Sequence, residues 1–273
     1  MGDYRDVNRA NWDERVPAHV ASPDYHVAQF EEDPSYLSEV VRFDQPRLGD
    51  VAGLRAVHLQ CHIGTDTVSL ARLGARMSGL DFSPAAIEQA QSLADRLGLS
   101  VDFHVADVYD AVEALGAASY DLVFTGIGAL CWLPDIRRWA AIVASFLKPG
   151  GWLYYADAHP AAYVFDDDDK LADGRPGYFM PYLGRQPLVL VDHRDYADSS
   201  ARLANATHVE WLHPLSDTIG GLIEAGLTLD WLHEHAQVPW RMFQMLVQKK
   251  DGDWHWPDKP WLPLSLSLQA TRR

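Results

Sequence analysis

Cysteine is scarce: the chain has only Cys61 and Cys131, which excludes a disulfide framework and a thiolate zinc cage. Both sit among apolar or glycine neighbours and read as free thiols in a reducing cytosol. Positive charge is also short, with 23 Lys and Arg against 38 Asp and Glu and a net charge of −15. A protein that grips a phosphate backbone needs the opposite balance, so no nucleic-acid partner is expected. Long hydrophobic runs are missing, and none nears the roughly 20 residues that span a bilayer. The segment from Met1 to Asp6 has no apolar signal region. These absences point to a cytoplasmic protein without a membrane partner, and they say nothing about a small neutral substrate. Tryptophan, in contrast, is plentiful at ten residues. Large flat rings of this kind suit a core or a pocket wall.

No internal repeat is present. Residues 1–50 are polar with scattered aromatics and read as a cap of short helices. From 54 onward, short apolar runs alternate with helical stretches, the pattern of βαβ units around a parallel sheet. Strands are expected at 54–59, 77–81, 101–105, 121–124 and 152–156. A helix capped by Thr65 should end at Gly74. A second should start at Ser83-Pro84 and end before Gly98. A third runs from 135 to 147, stopped by Pro149-Gly150-Gly151. Residues 157–213 lose the alternation and read as a lid inserted in the main domain, 51–273, with a hairpin pairing 187–194 with 204–213. A helix at 216–225, a strand at 227–234 and a period-two strand at 264–270 then complete a doubly wound α/β fold with a mostly parallel, seven-stranded sheet.

The turn His58-Leu59-Gln60-Cys61-His62-Ile63-Gly64 joins the first strand to a helix whose first amides lack partners. Gly64 is where backbone is expected to approach a ligand closely. Asp81, seventeen residues on, ends the next strand, where a carboxylate accepts hydrogen bonds from ribose hydroxyls. Phe82 is placed to stack on an adenine, and Asp107, with the Val108 amide, to meet its amino group. These features fit either NAD or S-adenosylmethionine. A pyrophosphate needs a turn rich in glycine. This one has a single glycine, which favours the cofactor without phosphate.

With these residues in order, the chain resembles the class I S-adenosylmethionine-dependent methyltransferases, of the bacterial small-molecule, natural-product type. The resemblance runs through Val57 to Gly64, Gly79-Leu80-Asp81-Phe82-Ser83-Pro84, Val105-Ala106-Asp107, Tyr120 to Phe124 and Leu147 to Gly151. It implies a Rossmann-like methyltransferase fold and S-adenosylmethionine as cofactor. The methionine moiety would lie over 60–64, the ribose on Asp81, and the adenine on Asp107 and Val108. Thr125 and Gly126 would sit beside the methionine amino group, with Tyr4 and Trp12 of the cap closing over it. His58, Gln60 and His62 stand where the family's usual motif has an acid and two glycines.

Methyl transfer needs alignment and exclusion of water, and a base only when the acceptor must lose a proton. His159 follows the fifth strand. In His233-Glu234-His235, alternation puts Glu234 on one face and both histidines on the other. His235, Glu234 and His159 are therefore the candidate bases. Tyr25, Tyr163, Tyr182 and Trp211 are candidate walls for an aromatic or indole-bearing acceptor of secondary metabolism; Tyr178 and His213 are weaker ones. Asp166 to Asp169 reads as a solvated loop, and no metal is expected. Two alternatives stay open: a non-catalytic S-adenosylmethionine-binding module and an NAD-dependent oxidoreductase.

Overall fold

A computed structural model describes residues 3–117, 119–167, 171–172 and 174–273; Asp168 and Asp169 of the acidic run lie outside them. Three helices open the chain: α1 (Tyr4–Ala21), α2 (Val27–Glu32) and α3 (Glu39–Leu48). The alternating part follows as β1 (Arg55–Leu59), α4 (Thr65–Arg72), β2 (Arg76–Asp81), α5 (Pro84–Arg96), β3 (Asp102–Val105), α6 (Ala111–Leu115), β4 (Tyr120–Thr125), α7 (Ile136–Phe146) and β5 (Leu147–Ala158). Beyond it come the short pair β6 (Phe165–Asp166) and β7 (Gly177–Tyr178), then the hairpin β8 (Leu188–Val191) and β9 (Thr207–Glu210). The chain finishes with α8 (Leu215–Glu224), β10 (Leu227–His235), β11 (Gln237–Val238), β12 (Val247–Gln248), β13 (Trp254–His255) and β14 (Ser265–Arg272).

Seven strands form one sheet in the order β10-β14-β5-β4-β1-β2-β3. β1 to β5 pair in parallel, and β14 runs antiparallel between β5 and β10. Alternation along β5 sends Leu153 and Tyr155 to one face, where Trp139, Phe146, Leu266 and Leu268 pack with α7 and α8. Tyr154 and Ala156 go to the other face, with Phe30, Val68, Leu93 and Phe124. Chain order reverses between β1 and β4, so the crevice beyond their carboxyl ends is the place for a ligand in a sheet of this kind.

Local signals set most boundaries. Ser83 accepts a hydrogen bond from the Ala86 amide, with Pro84 in the first turn of α5. Gly74 and Gly98 follow α4 and α5 at φ +94° and +66°, beyond the reach of most side chains. α4 differs from expectation, because its cap is Gly64, and no side chain makes a capping bond there. Pro149-Gly150-Gly151 does not separate α7 from β5. Those residues lie inside β5, where the pairing with β4 shifts register between Tyr120 and Leu122. α6 and the small sheet β11-β13-β12 were not anticipated.

The largest departure is α1, a single helix of 18 residues. Its inward face carries Asn8, Asn11, Arg15 and His19, all buried. A polar buried stripe defeats a reading based on apolar periodicity. Backbone and carboxylate groups of residues 195–209 satisfy that stripe. Asn8 donates to the Val209 carbonyl and accepts from its amide, both at 2.8 Å, and Asn11 donates to the Asn205 carbonyl. Replacing Asn8 with Ala leaves two buried backbone groups unpaired and should destabilise the fold by about 2 to 4 kcal/mol. Denaturant unfolding of Asn8→Ala checks this, and faster amide exchange at Val209 should accompany the loss.

Candidate functional site

The turn after β1 is built on left-handed backbone. Gln60 and His62 have φ of +60° and +51°, a region that favours glycine. Holding two side chains there costs about 1 kcal/mol or more each, so both earn attention as contacts. Gln60 Nε2 donates to the Ala129 carbonyl at 2.8 Å, tying the turn to the loop after β4. Its Oε1 is buried without a partner among the described residues, as is Thr125 Oγ1 at the end of β4. At Gly64 a Cβ would lie 2.8 Å from Ala90 Cβ and 3.1 Å from Phe103 Cζ, and φ is +80°. Close packing of α5 and β3 and the left-handed backbone both require a glycine here. Burial pushes the Cys61 thiol well up, which leaves it unreactive.

Asp81 ends β2 and accepts hydrogen bonds from the amides of His62 and Ser83, each at 2.9 Å. Burial raises its pKa to about 6 against the two backbone bonds that lower it. Ser83 Oγ donates to Asp13 of α1 at 2.5 Å. Asp107 caps the turn after β3 through the Tyr109 amide and lies 3.4 Å from the Arg5 guanidinium. Val108 beside it is buried, and Phe82 is half-buried. Gly126 forms a cradle: a Cβ there would come within 3.3 Å of Asp66 Oδ2 and 3.4 Å of His58 Nε2. Burial, with the charge of Asp44, raises Asp66 to about 6. Asp13 and Asp81 are linked through Ser83 at the end of β2, and Asp107 caps the turn after the neighbouring β3; carboxylates at these strand ends suit a cationic ligand bearing hydroxyls and repel a pyrophosphate.

α1 and residues 195–211 cover this crevice. Asp195 Oδ2 accepts from Arg15 at 3.1 Å and from His19 Nε2 at 3.0 Å, and His19 Nδ1 lies 3.1 Å from His62 Nε2. Trp12 meets His62 and Trp132 edge-on, with ring centres 5.0 and 5.1 Å away. Tyr4 does the same with Trp211 at 5.1 Å. The Tyr25 and Tyr196 hydroxyls are 2.5 Å apart. Beyond β4 and β5 a small cavity of about 20 Å³ is lined by Cys131, Tyr155, Asp157, Tyr163, Trp211 and His213, among others. Asp157 was not picked out from sequence. Its carboxylate accepts from the Gly128 amide and the Tyr155 hydroxyl, both at 2.8 Å, and so fixes the loop after β4.

The three candidate bases fare differently. His235 pairs with Ser267, which bonds Asp44, and it packs on Phe43. It therefore faces the α3 layer and not the crevice, and burial holds its pKa down at about 4. Glu234 and His159 meet each other instead, 2.9 Å apart. His159 Nδ1 already accepts the Ala161 amide, which occupies its lone pair. Glu234 stands on β10, separated from β1 by four strand spacings, about 19 Å in all. A base works within about 3 Å of its proton, so Glu234 lies at the wrong end of the sheet for a reaction at the β1 turn, whereas His159 follows β5, two strand spacings from β1. Among the wall candidates, Tyr182 accepts the Leu215 amide at the start of α8, and Tyr178 is 83% exposed. Tyr25 stacks on His19, and Tyr163 and Trp211 line the small cavity beyond β4 and β5. His213 faces the Leu133 carbonyl at 2.7 Å. The signals that sequence reading passed over are Asp66 in the first turn of α4 and the polar stripe of α1.

A buried carboxylate raised to about 6 stabilises the fold only while protonated. That contribution is complete below the ordinary value of 3.8 and is lost as pH rises through 6. At pH 7 the ionised Asp66 therefore costs about 3 kcal/mol. Asp66→Asn should be more stable than the parent protein at pH 7 to 8, by up to that amount, and no more stable near pH 4. Denaturant midpoints across that range check the sign.

The family described as "Methyltransferase domain" matches residues 56–151. A ubiquinone biosynthesis O-methyltransferase of Burkholderia cenocepacia is 34% identical over 106 residues, 39% of this chain and 45% of that protein. One from Xanthomonas axonopodis is 35% identical over 115 residues, 41% and 47% of the two chains. The chain spans about half the length of the curated relatives it matches. An S-adenosylmethionine-dependent methyltransferase from Mesorhizobium loti superposes with a TM-score of 0.60 at 22% identity, covering 85% of this chain and 96% of that one. The magnesium protoporphyrin IX methyltransferase of Synechocystis, with bound S-adenosylhomocysteine, gives 0.57 at 16% identity and covers 99% and 100%. These structures share the fold, and the sequence match covers the β1 turn, Asp81, Asp107 and Gly126. Residues 56–151 accordingly match the methyltransferase domain family, and the sheet they build has the fold of S-adenosylmethionine-dependent methyltransferases.

Proposed function

We propose that this chain is an S-adenosylmethionine-dependent methyltransferase acting on a small aromatic acceptor. The observation that carries the proposal is the crevice at the β1 and β2 ends. There Asp81 is oriented by two amides at the end of β2, with Gly126 following β4 on the other side of β1. When bound, the cofactor supplies an electrophilic methyl group on a sulfonium. Asp81 holds the ribose hydroxyls. Asp107 and the Val108 amide meet the adenine, with Arg5 sharing the outer oxygen of Asp107. Gln60 Oε1 and Thr125 Oγ1, both unpartnered, take the amino end together with Asp66. Trp12, Tyr25, Trp132, Tyr163 and Trp211 wall the acceptor, and α1 keeps water out.

The relatives' names support an acceptor oxygen, since they describe O-methylation in ubiquinone biosynthesis. The cover is built from α1 and residues 195–211, outside the matched stretch, so acceptor choice rests on this chain's own walls. Those walls favour a phenol or an indole-type ring over an aliphatic substrate. The acidic crevice disfavours NAD. A binding module without chemistry differs from this reading by its lack of turnover.

Calorimetry with S-adenosylmethionine, S-adenosylhomocysteine and NAD tests the cofactor. S-adenosylhomocysteine should bind and NAD should not, and Asp81→Ala should weaken the former by about 10- to 100-fold, the range for hydrogen bonds to a charged group. Binding of NAD alone would overturn the proposal. Labelled methyl donor offered with panels of phenols and indoles then identifies the acceptor.

A further inference from the structure

Asp195, His19 and His62 form one hydrogen-bonded chain from the lid, through α1, to the cofactor turn. The Asp195 carboxylate is held below its ordinary pKa by His19, the Ala197 amide and Arg15, against the burial that raises it. Ionised, it accepts the proton on His19 Nε2. With one proton on each imidazole, the rest of the chain can be written in only one way. His19 Nδ1 then carries a lone pair, His62 Nε2–H donates to it, and the lone pair of His62 falls on Nδ1. Among the described residues no hydrogen bond ends on that nitrogen. The ring belongs to a residue whose amide orients Asp81 and whose backbone is left-handed. Trp12 and Tyr25 pack around it.

We propose that His62 Nδ1 is the proton acceptor of the methyl transfer, and that the acceptor substrate is a nucleophile that must lose a proton. This rests on the methyltransferase reading above. A phenol or ring N–H gives its proton to Nδ1 as its oxygen or nitrogen lone pair takes the methyl group. The carbon–sulfur bond breaks with its electron pair going to sulfur. The positive charge lost from the sulfonium reappears on the His62 imidazolium, shared through Nε2–H with His19 and Asp195, until the proton leaves to solvent. His19 and Asp195 are positioning residues in this scheme. A tertiary amine or thioether, which has no proton to lose, would not need the chain.

The charged and titratable groups around His62 are His19 and Arg15 of α1, Tyr25, Asp195 and Tyr196 of the cover, Asp66 of α4, and Asp81. Burial, followed by His19, holds His62 well below its usual pKa, and Asp195 opposes this. The basic form therefore persists to lower pH than for an exposed histidine, and the acid limb of the rate profile should lie below 6.5. Asp195→Asn removes the opposing influence, so it should move that limb lower still and cut the maximal rate.

The test uses the full chain loaded with S-adenosylhomocysteine and labelled with ¹⁵N-histidine. Nitrogen NMR at pH 7 should find the His62 proton on Nε2, and Asp195→Asn should abolish that preference. A proton on Nδ1 in the parent protein overturns the inference. His62→Asn suits the left-handed backbone. It should still bind S-adenosylhomocysteine and, with the cofactor saturating, lose about 10²- to 10⁴-fold in turnover on a phenolic or indolic acceptor, the range for a positioned base. Unchanged turnover removes His62 from the mechanism. Failure of the parent protein to bind S-adenosylhomocysteine would instead sink the methyltransferase reading itself.

Discussion

Everything at the crevice is referenced to one buried carboxylate. Asp81 receives the amide of His62 from the turn after β1 and the amide of Ser83 from the start of α5. Ser83 carries the connection outward to Asp13 on α1. Two loops and the cover are therefore located by one side chain at the end of β2. Its position follows from a parallel sheet whose chain order reverses between β1 and β4. Moving Asp81 would shift the turn, the α5 cap and the cover together, so the site behaves as a unit and not as a set of independent contacts.

The same crevice is electrostatically uncomfortable when empty. Asp66 and Asp81 are each raised to about 6 by burial, as is Asp157 in the small cavity beyond β4 and β5. A fold selected for stability alone would replace such carboxylates with neutral groups. Buried carboxylates of this kind exchange stability for a preformed electrostatic field. A cation that enters meets charges already desolvated and oriented, which makes each contact stronger than it would be in water.

How much was legible in sequence depends on the kind of signal. The βαβ alternation, Ser83-Pro84 and the glycines after α4 and α5 act through local backbone rules, and they placed the sheet and most of its helices. Asp81 was legible because strand ends at the switch point are the positions that matter in this architecture. The packing reason for Gly64 was not legible, because a glycine needed for a ligand and one needed by Ala90 look identical in sequence. The Glu234 and His235 alternation was right, yet no local pattern says that β10 lies four strands from the turn. The α1 stripe was invisible for a related reason. Asn8, Asn11, Arg15 and His19 are compatible with burial only because residues 195–209 satisfy them from nearly two hundred positions away.

That separation has a consequence for how the molecule comes into being. Asn8 and Val209 are 201 residues apart in sequence, so their contact closes a very long loop and carries the entropy cost of doing so. The α/β core is joined mostly by neighbouring units and can assemble before that loop closes. During synthesis the first helix must wait for the hairpin near residue 209 to emerge. Until then its polar face is solvated and the crevice stays open. α1 is thus among the last elements to settle, and the crevice is covered by the final steps of folding.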